Sequence, residues 1–286
     1  MTTTLTPPQA PAPVAPRGRT SPWLVVGAIV GALMVAQAAL SLGALLVTHR
    51  DTQSVDLPAA PRLVVSVGSG NVTVVGTGGD RITGTAERRW SYAEPALEIS
   101  EQDDATHMGV GCAWYSSGYC SVDLDLEVPE GTVVDLRSGS GNLTVTGLRA
   151  GATLNADSGR VSVSDVTGDV TVDNDSGDIS LARVTGDVVV HADSGRIDVT
   201  GTAARHVEAR SSSGDIRLEL IDDPETVDAR GSSGHIAIRL PDTPGVAYAL
   251  DLSTSSGDTE TGVRTDPASP RTVKAHTSSG DVEVTY

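Results

Sequence analysis

Three aspartates recur at a fixed spacing in the second half of the chain, and carboxylates readily bind cations. Asp157, Asp175 and Asp193 follow one another at intervals of 18 residues. If each interval forms one turn of a repeating structure, the three carboxylates would lie about 5 Å apart and could bind Ca²⁺. The surrounding residues do not form the glycine-rich nonapeptide of calcium-binding β-rolls. We therefore expect no metal site and keep Ca²⁺ at this ladder as the weaker alternative.

The only two cysteines of the chain, Cys112 and Cys120, flank the short segment AWYSSGY. In an exported segment such a pair predicts a disulfide that closes a hairpin. A metal site would need further ligands at close spacing, and the six histidines form no recognisable pattern for one. A catalytic thiol would need a partner group, and none is evident.

Most of the aromatic residues lie around this cysteine pair, in a chain that contains no Phe. One interpretation is a small hydrophobic cap that covers the end of a repeating structure. The other is a stacking platform for a sugar or a peptide, with Trp90 and Trp114 as the first contacts. The aromatic residues concerned are Trp90, Tyr92, Trp114, Tyr115 and Tyr119.

A repeated Ser-Gly phrase, followed by a polar residue and alternating apolar residues, organises residues 139–286. Successive glycines of the phrase are 18 to 23 residues apart, which is the period of a solenoid with one structural unit per repeat. These glycines are Gly141, Gly159, Gly177, Gly195, Gly214, Gly234, Gly257 and Gly280.

Within each repeat the apolar residues stand two apart, as in Val161 and Val163 or Ile179 and Leu181. This period is that of a strand with one buried face, and Gly next to Asp, Asn or Arg is typical of a tight corner. Such short strands are unstable as isolated hairpins but can pair with the coils above and below. We predict an all-β parallel β-solenoid of about eight coils. A β-sandwich is the alternative, although its loops would have no reason to repeat their sequence.

The residue after each repeat glycine alternates in charge from Arg160 to Asp215. Alternation relieves repulsion between like charges on neighbouring coils, so we assign this position to the architecture. The later repeats carry extra residues in Pro-containing loops, which we expect to protrude as a contact surface. These loops are 222–226, 241–245 and 265–270.

Two segments at the start of the chain differ in composition from the repeats. Residues 1–22 are rich in Pro, Ala and Thr, which predicts a disordered cytoplasmic tail. Residues 23–47 are apolar except for Gln37 and Ser41, and they are long enough to span a bilayer as a signal-anchor helix. A signal peptide cleaved after Ala36-Gln37-Ala38 is the alternative.

Charge predicts the orientation of the chain in a membrane. Arg17 and Arg19 precede the apolar segment with no acid nearby, which places the N-terminus in the cytoplasm. A polar stalk, 48–61, would then lead to an exported domain, 62–286. All 37 Asp and Glu follow His49, so the exported part has a formal charge of about −20. Such a surface excludes nucleic acid as a partner.

The predicted domain begins with one separate copy of the repeat phrase. Residues 62–76, RLVVSVGSGNVTVVG, match the later coils, whereas the next segment, about 80–120, is less periodic. A solenoid needs an atypical element to cover its exposed end. We predict that the insert is this cap.

The phrases SGSGNLTVTGL and VTGDVTVDNDSGDISL, with the lead-in LEVPEGTVVDLRSGSG, resemble a bacterial adhesin-like family of unknown function built on DUF4097-type β-solenoid domains. The resemblance covers nearly all of residues 62–286. It implies a membrane-anchored or surface β-solenoid with a role in adhesion. It transfers no catalytic residue, because the family has none established.

We therefore expect a non-catalytic module at the cell membrane, with an extracytoplasmic C-terminal domain, no cofactor, and a cell-surface, glycan or protein ligand. The alternative is an envelope sensor or accessory protein that acts on a membrane partner, for which the 22-residue tail could only dock. A polysaccharide-active enzyme is the least expected function. The coils leave little room for site-building loops, and Lys274 is the only lysine.

Overall fold

The computed structural model describes residues 22–46, 48–112 and 119–286. The chain divides into two compact units, Met1–Leu46 and Val47–Tyr286. The predicted disordered tail, residues 1–22, lies outside the described residues except for Pro22, where a helix begins.

The apolar N-terminal segment forms helix α1 (Pro22–Leu46). Several of its apolar side chains are exposed, among them Trp23, Leu33 and Val35. In the part of the chain that the structure describes, no helix combines the length and the apolarity needed to cross a membrane. The transmembrane helix predicted at 23–47 is therefore not confirmed.

The second unit is mostly β. Its N-terminal part contains β1 (His49–Pro58), β2 (Arg62–Val67), β3 (Val72–Thr77), β4 (Arg81–Trp90), β5 (Ala96–Gln102), β6 (Ala105–Gly111) and β7 (Cys120–Pro129). The pairs that follow are β8 (Val133–Ser138) with β9 (Leu143–Thr146), β10 (Ala152–Ser158) with β11 (Val161–Thr167), β12 (Val170–Ser176) with β13 (Ile179–Thr185), β14 (Val188–Ser194) with β15 (Ile197–Thr202), β16 (His206–Ser213) with β17 (Ile216–Leu220), β18 (Thr226–Ser233) with β19 (Ile236–Arg239), β20 (Ala249–Ser256) with β21 (Thr259–Thr261), and β22 (Thr272–Ser279) with β23 (Val282–Thr285).

The strands form two sheets that share one hydrophobic core. The first sheet has the order β1-β4-β7-β3-β9-β11-β13-β15-β17-β19-β23-β21, and the second has the order β20-β22-β18-β16-β14-β12-β10-β8-β2-β6-β5. The strand pairs are parallel, apart from the antiparallel pairs β1–β4, β4–β7 and β5–β6. Each repeat contributes one strand to each sheet, which is consistent with the predicted parallel β-solenoid.

The apolar residues of successive coils lie in register and fill the space between the sheets. Val161 pairs with Ile179 and Ile179 with Ile197, and all three are buried. The sequence pattern therefore predicted the buried face correctly. The buried alternating pairs include Val161/Val163, Val170/Val172, Ile179/Leu181, Val188/Val190 and Ile197/Val199.

The glycine of the repeat makes a very close contact between neighbouring coils. Gly177 has φ of +134°, and a Cβ built there would lie 2.0 Å from the carbonyl oxygen of Gly159. Only glycine tolerates both this backbone conformation and this approach. The contact recurs from coil to coil, so these residues form a continuous stack, here called the glycine column. In stacking order it contains Gly70, Gly141, Gly159, Gly177, Gly195, Gly214, Gly234, Gly280 and Gly257.

Beside the glycine column, Asn and Asp side chains accept hydrogen bonds from the backbone of the next coil. Asn142 Oδ1 accepts the N–H of Arg160 at 2.9 Å, and Asp178 Oδ1 accepts the N–H of Arg196 at 3.1 Å. An arginine side chain has no hydrogen-bond acceptor. The acceptors must therefore come from the Asn and Asp residues that alternate with the arginines from coil to coil. The Asn and Asp residues of this alternation thus also satisfy the backbone donors of Arg160 and Arg196 at the corner. Arg160 and Asp178 are also an ion pair, with N and O atoms 3.6 Å apart.

The coils at the two ends are not stacked in sequence order. The coil β2/β3 lies between β6/β7 and β8/β9, and the coil β22/β23 lies between β18/β19 and β20/β21. The insert at about 80–120 supplies β4, β5 and β6. With β1 and β7, these strands form the outermost layers of the N-terminal end.

The polar segment 48–61 is not the stalk that the sequence predicts. Residues 49–58 form β1, which pairs antiparallel with β4 over the length of both strands. Arg81 donates to Asp56 at 2.6 Å across this pair. The prediction was wrong because β1 is an edge strand: Val55 is buried and Leu57 partly so, which leaves little apolar alternation to detect.

We expect Gly177→Ala to destabilise the fold by about 3 kcal/mol or more, because the new Cβ adds steric overlap to backbone strain. Gly245→Ala is the matched control. Gly245 has φ of +84°, but no atom lies within 4 Å of an added Cβ, so only the strain of about 1 kcal/mol remains. Denaturant unfolding of the full-length variants in detergent measures both values. Equal destabilisation would contradict the role assigned to the glycine contact.

Candidate functional site

The two cysteines form the predicted disulfide at the N-terminal end of the solenoid. Cys112 follows β6 and Cys120 begins β7, and their Cα atoms are 6.1 Å apart. Cys120 is also the partner of Trp90 where β7 pairs with β4. The bond therefore links two strands of the cap and lies beside the predicted aromatic cluster.

Trp90 contacts other residues of the cap on its ring. The ring of His49 stacks on it, with centroids 5.6 Å apart and planes at 26°. The guanidinium carbon of Arg88 lies 5.8 Å from the Trp90 centroid. Arg88 also forms ion pairs with Asp51 and, at 2.8 Å, with Glu94. These contacts favour Trp90 as a structural part of the cap over a free stacking surface, and the groups on its ring are an imidazole and a guanidinium.

Two more of the predicted aromatic residues lie at the same end of the solenoid. Tyr92 and Tyr119 are 50% and 48% exposed, and the carbonyl of Tyr119 accepts the N–H of Ser91 at 2.9 Å. Trp114 and Tyr115 lie outside the described residues. Of the predicted cluster, the structure thus brings Trp90, Tyr92 and Tyr119 to one end.

The three predicted ladder aspartates lie exposed at equivalent positions near the ends of β10, β12 and β14. Asp193 Oδ1 accepts a hydrogen bond from Ser212 Oγ at 3.4 Å. Among the described residues, no group of three or more His, Cys, Asp or Glu side chains is arranged to hold a metal ion. Asp157, Asp175 and Asp193 are in register without forming such a group.

The Pro-containing loops, which we expected to protrude, are tied together at the C-terminal end. Tyr248 is completely buried, and its hydroxyl donates to Asp223 Oδ1 at 3.0 Å. Arg271 Nη1 donates to the carbonyls of Asp223 at 2.7 Å and Pro224 at 2.9 Å. One buried phenol and one guanidinium therefore hold the first loop against the residues that precede and follow β20 and β21.

The three Pro-containing loops and the residues that hold them together are here called the C-terminal cap. Arg264 makes a second set of hydrogen bonds in this cap. Its Nη2 donates to Asp242 Oδ1 at 2.6 Å and to the carbonyl of Thr243 at 2.7 Å. Its Nε donates to the carbonyl of Val246 at 3.1 Å, and its backbone N–H donates to the hydroxyl of Tyr286 at 2.7 Å. No sequence pattern predicts this cap, because each of these residues is isolated in a loop.

Four basic residues stand in register across the outer face of the second sheet. His191 pairs with Arg210, Arg210 with Arg230, and Arg230 with His276. No sequence pattern predicts this row either. Its members belong to four different strands, and only the pairing register of β14, β16, β18 and β22 aligns them.

Three members of this row line a groove of about 420 Å³, here called the sheet groove. Its outward-facing residues come from two adjacent rows of the sheet, and the residues between them are small: Ala192, Ser211 and Gly231. The first row contributes Asp173, His191, Arg210 and Arg230, and the second contributes Asp193, Ser212 and Ser232.

Parallel strands wound coil upon coil around a filled core, with polar rows on the outer faces, define a protein of the β-solenoid class. The chain belongs to the Toastrack DUF4097 family, whose sequence model matches residues 60–285. This match confirms the resemblance seen in the repeat phrases.

Two crystal structures illustrate what the chain is similar to. A "putative adhesin" from Bacteroides fragilis is 13% identical, with 83% of this chain and 96% of that chain covered and a TM-score of 0.43. A "putative adhesin" from Parabacteroides distasonis is 10% identical, with coverages of 82% and 97% and a TM-score of 0.39. Scores this low support no functional argument. No curated protein matches the sequence.

The C-terminal cap leads to a prediction about alkaline pH. Burial raises the pKa of Tyr248, and the hydrogen bond to Asp223 raises it further. The folded chain therefore keeps this proton where the unfolded chain loses it. The contribution of Tyr248 to the free energy of unfolding is therefore fully present below about pH 10 and is lost as the pH rises above that value.

We expect Tyr248→Phe to cost about 1 kcal/mol at neutral pH, because a buried hydrogen bond is lost. The same variant should show a shallower fall in melting temperature above about pH 10 than the wild type. Tyr119→Phe, at an exposed tyrosine, is the control and should keep the wild-type slope. Identical slopes for all three proteins would contradict the role given to Tyr248.

Proposed function

We propose that the protein is a non-catalytic interaction module of the cell envelope, which binds an envelope or cell-surface ligand through the outside of its β-solenoid. One observation carries the proposal. The space between the two sheets is filled by a continuous cluster of buried aliphatic side chains from Val55 to Val284. A ligand can then be recognised only on the outside of the solenoid, where the coils present polar side chains in regular rows.

The arrangement of charged groups supports binding rather than catalysis. Paired charges lie on neighbouring coils of the outer surface, as for Asp165 and Arg183, which make two hydrogen bonds at 2.7 and 2.8 Å. The Arg183 guanidinium lowers the pKa of Asp165, mainly through this hydrogen bonding. Such a pair holds two coils together. General acid–base catalysis instead needs groups that converge on one substrate position.

The N-terminal segment is part of this proposal as the membrane anchor, with the C-terminal domain extracytoplasmic. Its 25 residues, 22–46, form a helix that carries no acidic residue in its first turn and no basic residue in its last. Exposed apolar side chains such as Leu33 and Val35, 65% and 70% exposed, would be stabilised by lipid. The arginines at 17 and 19 favour a cytoplasmic N-terminus.

The anchor can be tested by membrane extraction. We expect the wild-type chain to stay in the membrane pellet after alkaline carbonate, and Ile29→Arg with Leu33→Arg to release much of it. Each arginine at mid-membrane costs about 3 kcal/mol. The control carries two arginines on exposed strand positions, Thr171→Arg with Ser180→Arg. Carbonate release of the wild type, or a mature chain that lacks residues up to Ala38, would contradict the anchor.

The binding function can be tested with the full chain in lipid nanodiscs, applied to arrays of envelope polysaccharides, cell-wall fragments and envelope proteins. We expect saturable binding to at least one component, with no chemical change of that component by mass spectrometry. Empty nanodiscs are the control. Failure to bind any component would contradict the proposed function, and turnover of the ligand would indicate an enzyme instead.

A variant of the aromatic cap extends this experiment. Because Trp90 is stacked by His49 and contacted by Arg88, we expect Trp90→Ala to lower the melting temperature and leave binding intact. Trp90→Phe should recover part of the stability. Lost binding at an unchanged melting temperature would instead support the stacking-platform interpretation.

A further inference from the structure

The sheet groove carries charges of opposite sign at its two ends. The lining residues follow the order of strands β12, β14, β16 and β18. Asp173 lies on β12 and Asp193 on β14, whereas Arg210 and Arg230 lie on the next two strands. At about 4.8 Å per strand, the two ends are about 14 Å apart. The groove therefore runs along the stack of coils from an acidic end to a cationic end.

The acidic end offers carboxylates to a ligand. Asp173 is exposed, and no ion pair joins it to another described residue. Asp193 is exposed as well and accepts only the weak hydrogen bond of Ser212 Oγ, at 3.4 Å, among the described side chains. A carboxylate in this position can accept hydrogen bonds from an ammonium group.

The cationic end offers guanidinium groups that are only partly engaged. Arg230 Nη2 contacts Asp228 at 2.8 Å, and Arg210 Nη1 contacts Glu208 and, at 3.1 Å, His191 Nε2. The side chains of Arg210 and Arg230 remain 41% and 50% exposed. Each guanidinium has five N–H donors, so donors remain for a ligand carboxylate.

The second row of the groove adds hydroxyl groups beside these charges. Ser212 follows Arg210 by two positions, and Ser232 follows Arg230 in the same way. Both serines are exposed. Hydroxyls that donate and accept match the hydroxyls of a sugar. The groove lining has no Trp, Tyr or Phe side chain for stacking a nucleobase and no deep apolar pocket for a peptide anchor.

From this arrangement we propose that the sheet groove binds a linear zwitterionic polysaccharide, one that carries both free amines and carboxylates along its chain. The amines would contact Asp173 and Asp193, and the carboxylates would contact Arg210 and Arg230. The inference rests on the proposed function as an envelope-binding module and names its ligand class.

Charge distinguishes this ligand from its simpler relatives. A polyanion would be repelled by the two unpaired aspartates in the groove and by the net charge of −17 on the protein. A polycation would meet two arginines, each paired with one carboxylate, and would leave their remaining N–H donors unused. Only a chain with both charges complements both ends, and the groove direction fits an extended polymer that lies across successive coils.

The experiment uses the full chain in nanodiscs and three oligosaccharide probes at physiological salt. De-N-acetylated hyaluronan supplies both charges, hyaluronan supplies carboxylates alone, and chitosan supplies amines alone. Because an acidic protein attracts any polycation, the measured quantity is the change in affinity on substitution. We expect Arg210→Ala with Arg230→Ala to weaken binding of the zwitterionic probe about tenfold or more and not to weaken binding of chitosan.

The acidic end is tested in the same way. Asp173→Asn with Asp193→Asn should weaken binding of the zwitterionic probe about tenfold and should not weaken binding of hyaluronan. The matched controls are Arg137→Ala, in the same row and paired with Asp135 at 3.6 Å, and Asp157→Asn, in the row of Asp193. Both controls lie outside the groove lining and should leave binding unchanged.

Three results would overturn the proposal: absent binding of the zwitterionic probe, equal weakening by the control substitutions, or hyaluronan binding as tight as that of the zwitterion. If the chain fails these tests yet binds another envelope component on the arrays, the groove assignment is wrong and the binding function stands. If it binds nothing on the arrays, the binding function itself is wrong. Melting temperatures of all variants identify any loss of fold.

Discussion

The architecture depends on the contact between stacked glycines. At each glycine of the column, the carbonyl oxygen of the neighbouring coil occupies the space that a Cβ would need. At Gly195, for example, an added Cβ would lie 2.2 Å from the carbonyl oxygen of Gly177. This approach sets the position of the corner in every coil. Because a strand begins after each corner, the apolar residues that follow also fall into register. The valine columns of the core thus depend on a position that contributes no side chain.

The interior beside the glycine column is adapted to the carbonyls that the column exposes. Asn174 is completely buried, and its Nδ2 donates to the carbonyls of Gly159 and Gly177, each at 3.1 Å. Thr254 Oγ1 donates to the carbonyl of Gly280 at 2.9 Å. These polar groups occur where the core would otherwise be apolar, and buried carbonyls gain a partner there. Asn174 and Thr254, which occupy equivalent positions in their coils, are therefore part of how the corner is satisfied.

Sequence periodicity predicted the parts of the fold that repeat. The spacing of residues such as Val161 and Val163 was sufficient to identify the buried face, and the glycine phrase identified the corner. The disulfide followed from two isolated cysteines. These features depend on residues close together in the chain, so local patterns determine them.

The remaining features depend on which distant strands become neighbours. β1 was missed because it pairs with β4 through backbone and ion pairs rather than an apolar face. The C-terminal cap depends on Arg271 reaching Asp223, 48 residues away. The residues of the sheet groove come together only because β14 pairs in register with β16, and β16 with β18. No local pattern encodes that pairing, so the charge order along the groove could not be predicted from the sequence.

The order of the coils at the C-terminal end affects how the protein can be made. During synthesis β20 and β21 leave the ribosome before β22 and β23, yet the later pair lies between them and β18/β19. The outer coil therefore has no parallel neighbour until β22 and β23 have emerged. Once they are in place, the terminal strands are held on both sides. In a solenoid with consecutive coils the final repeat can peel away alone, whereas here removal of β22 and β23 must break two interfaces together.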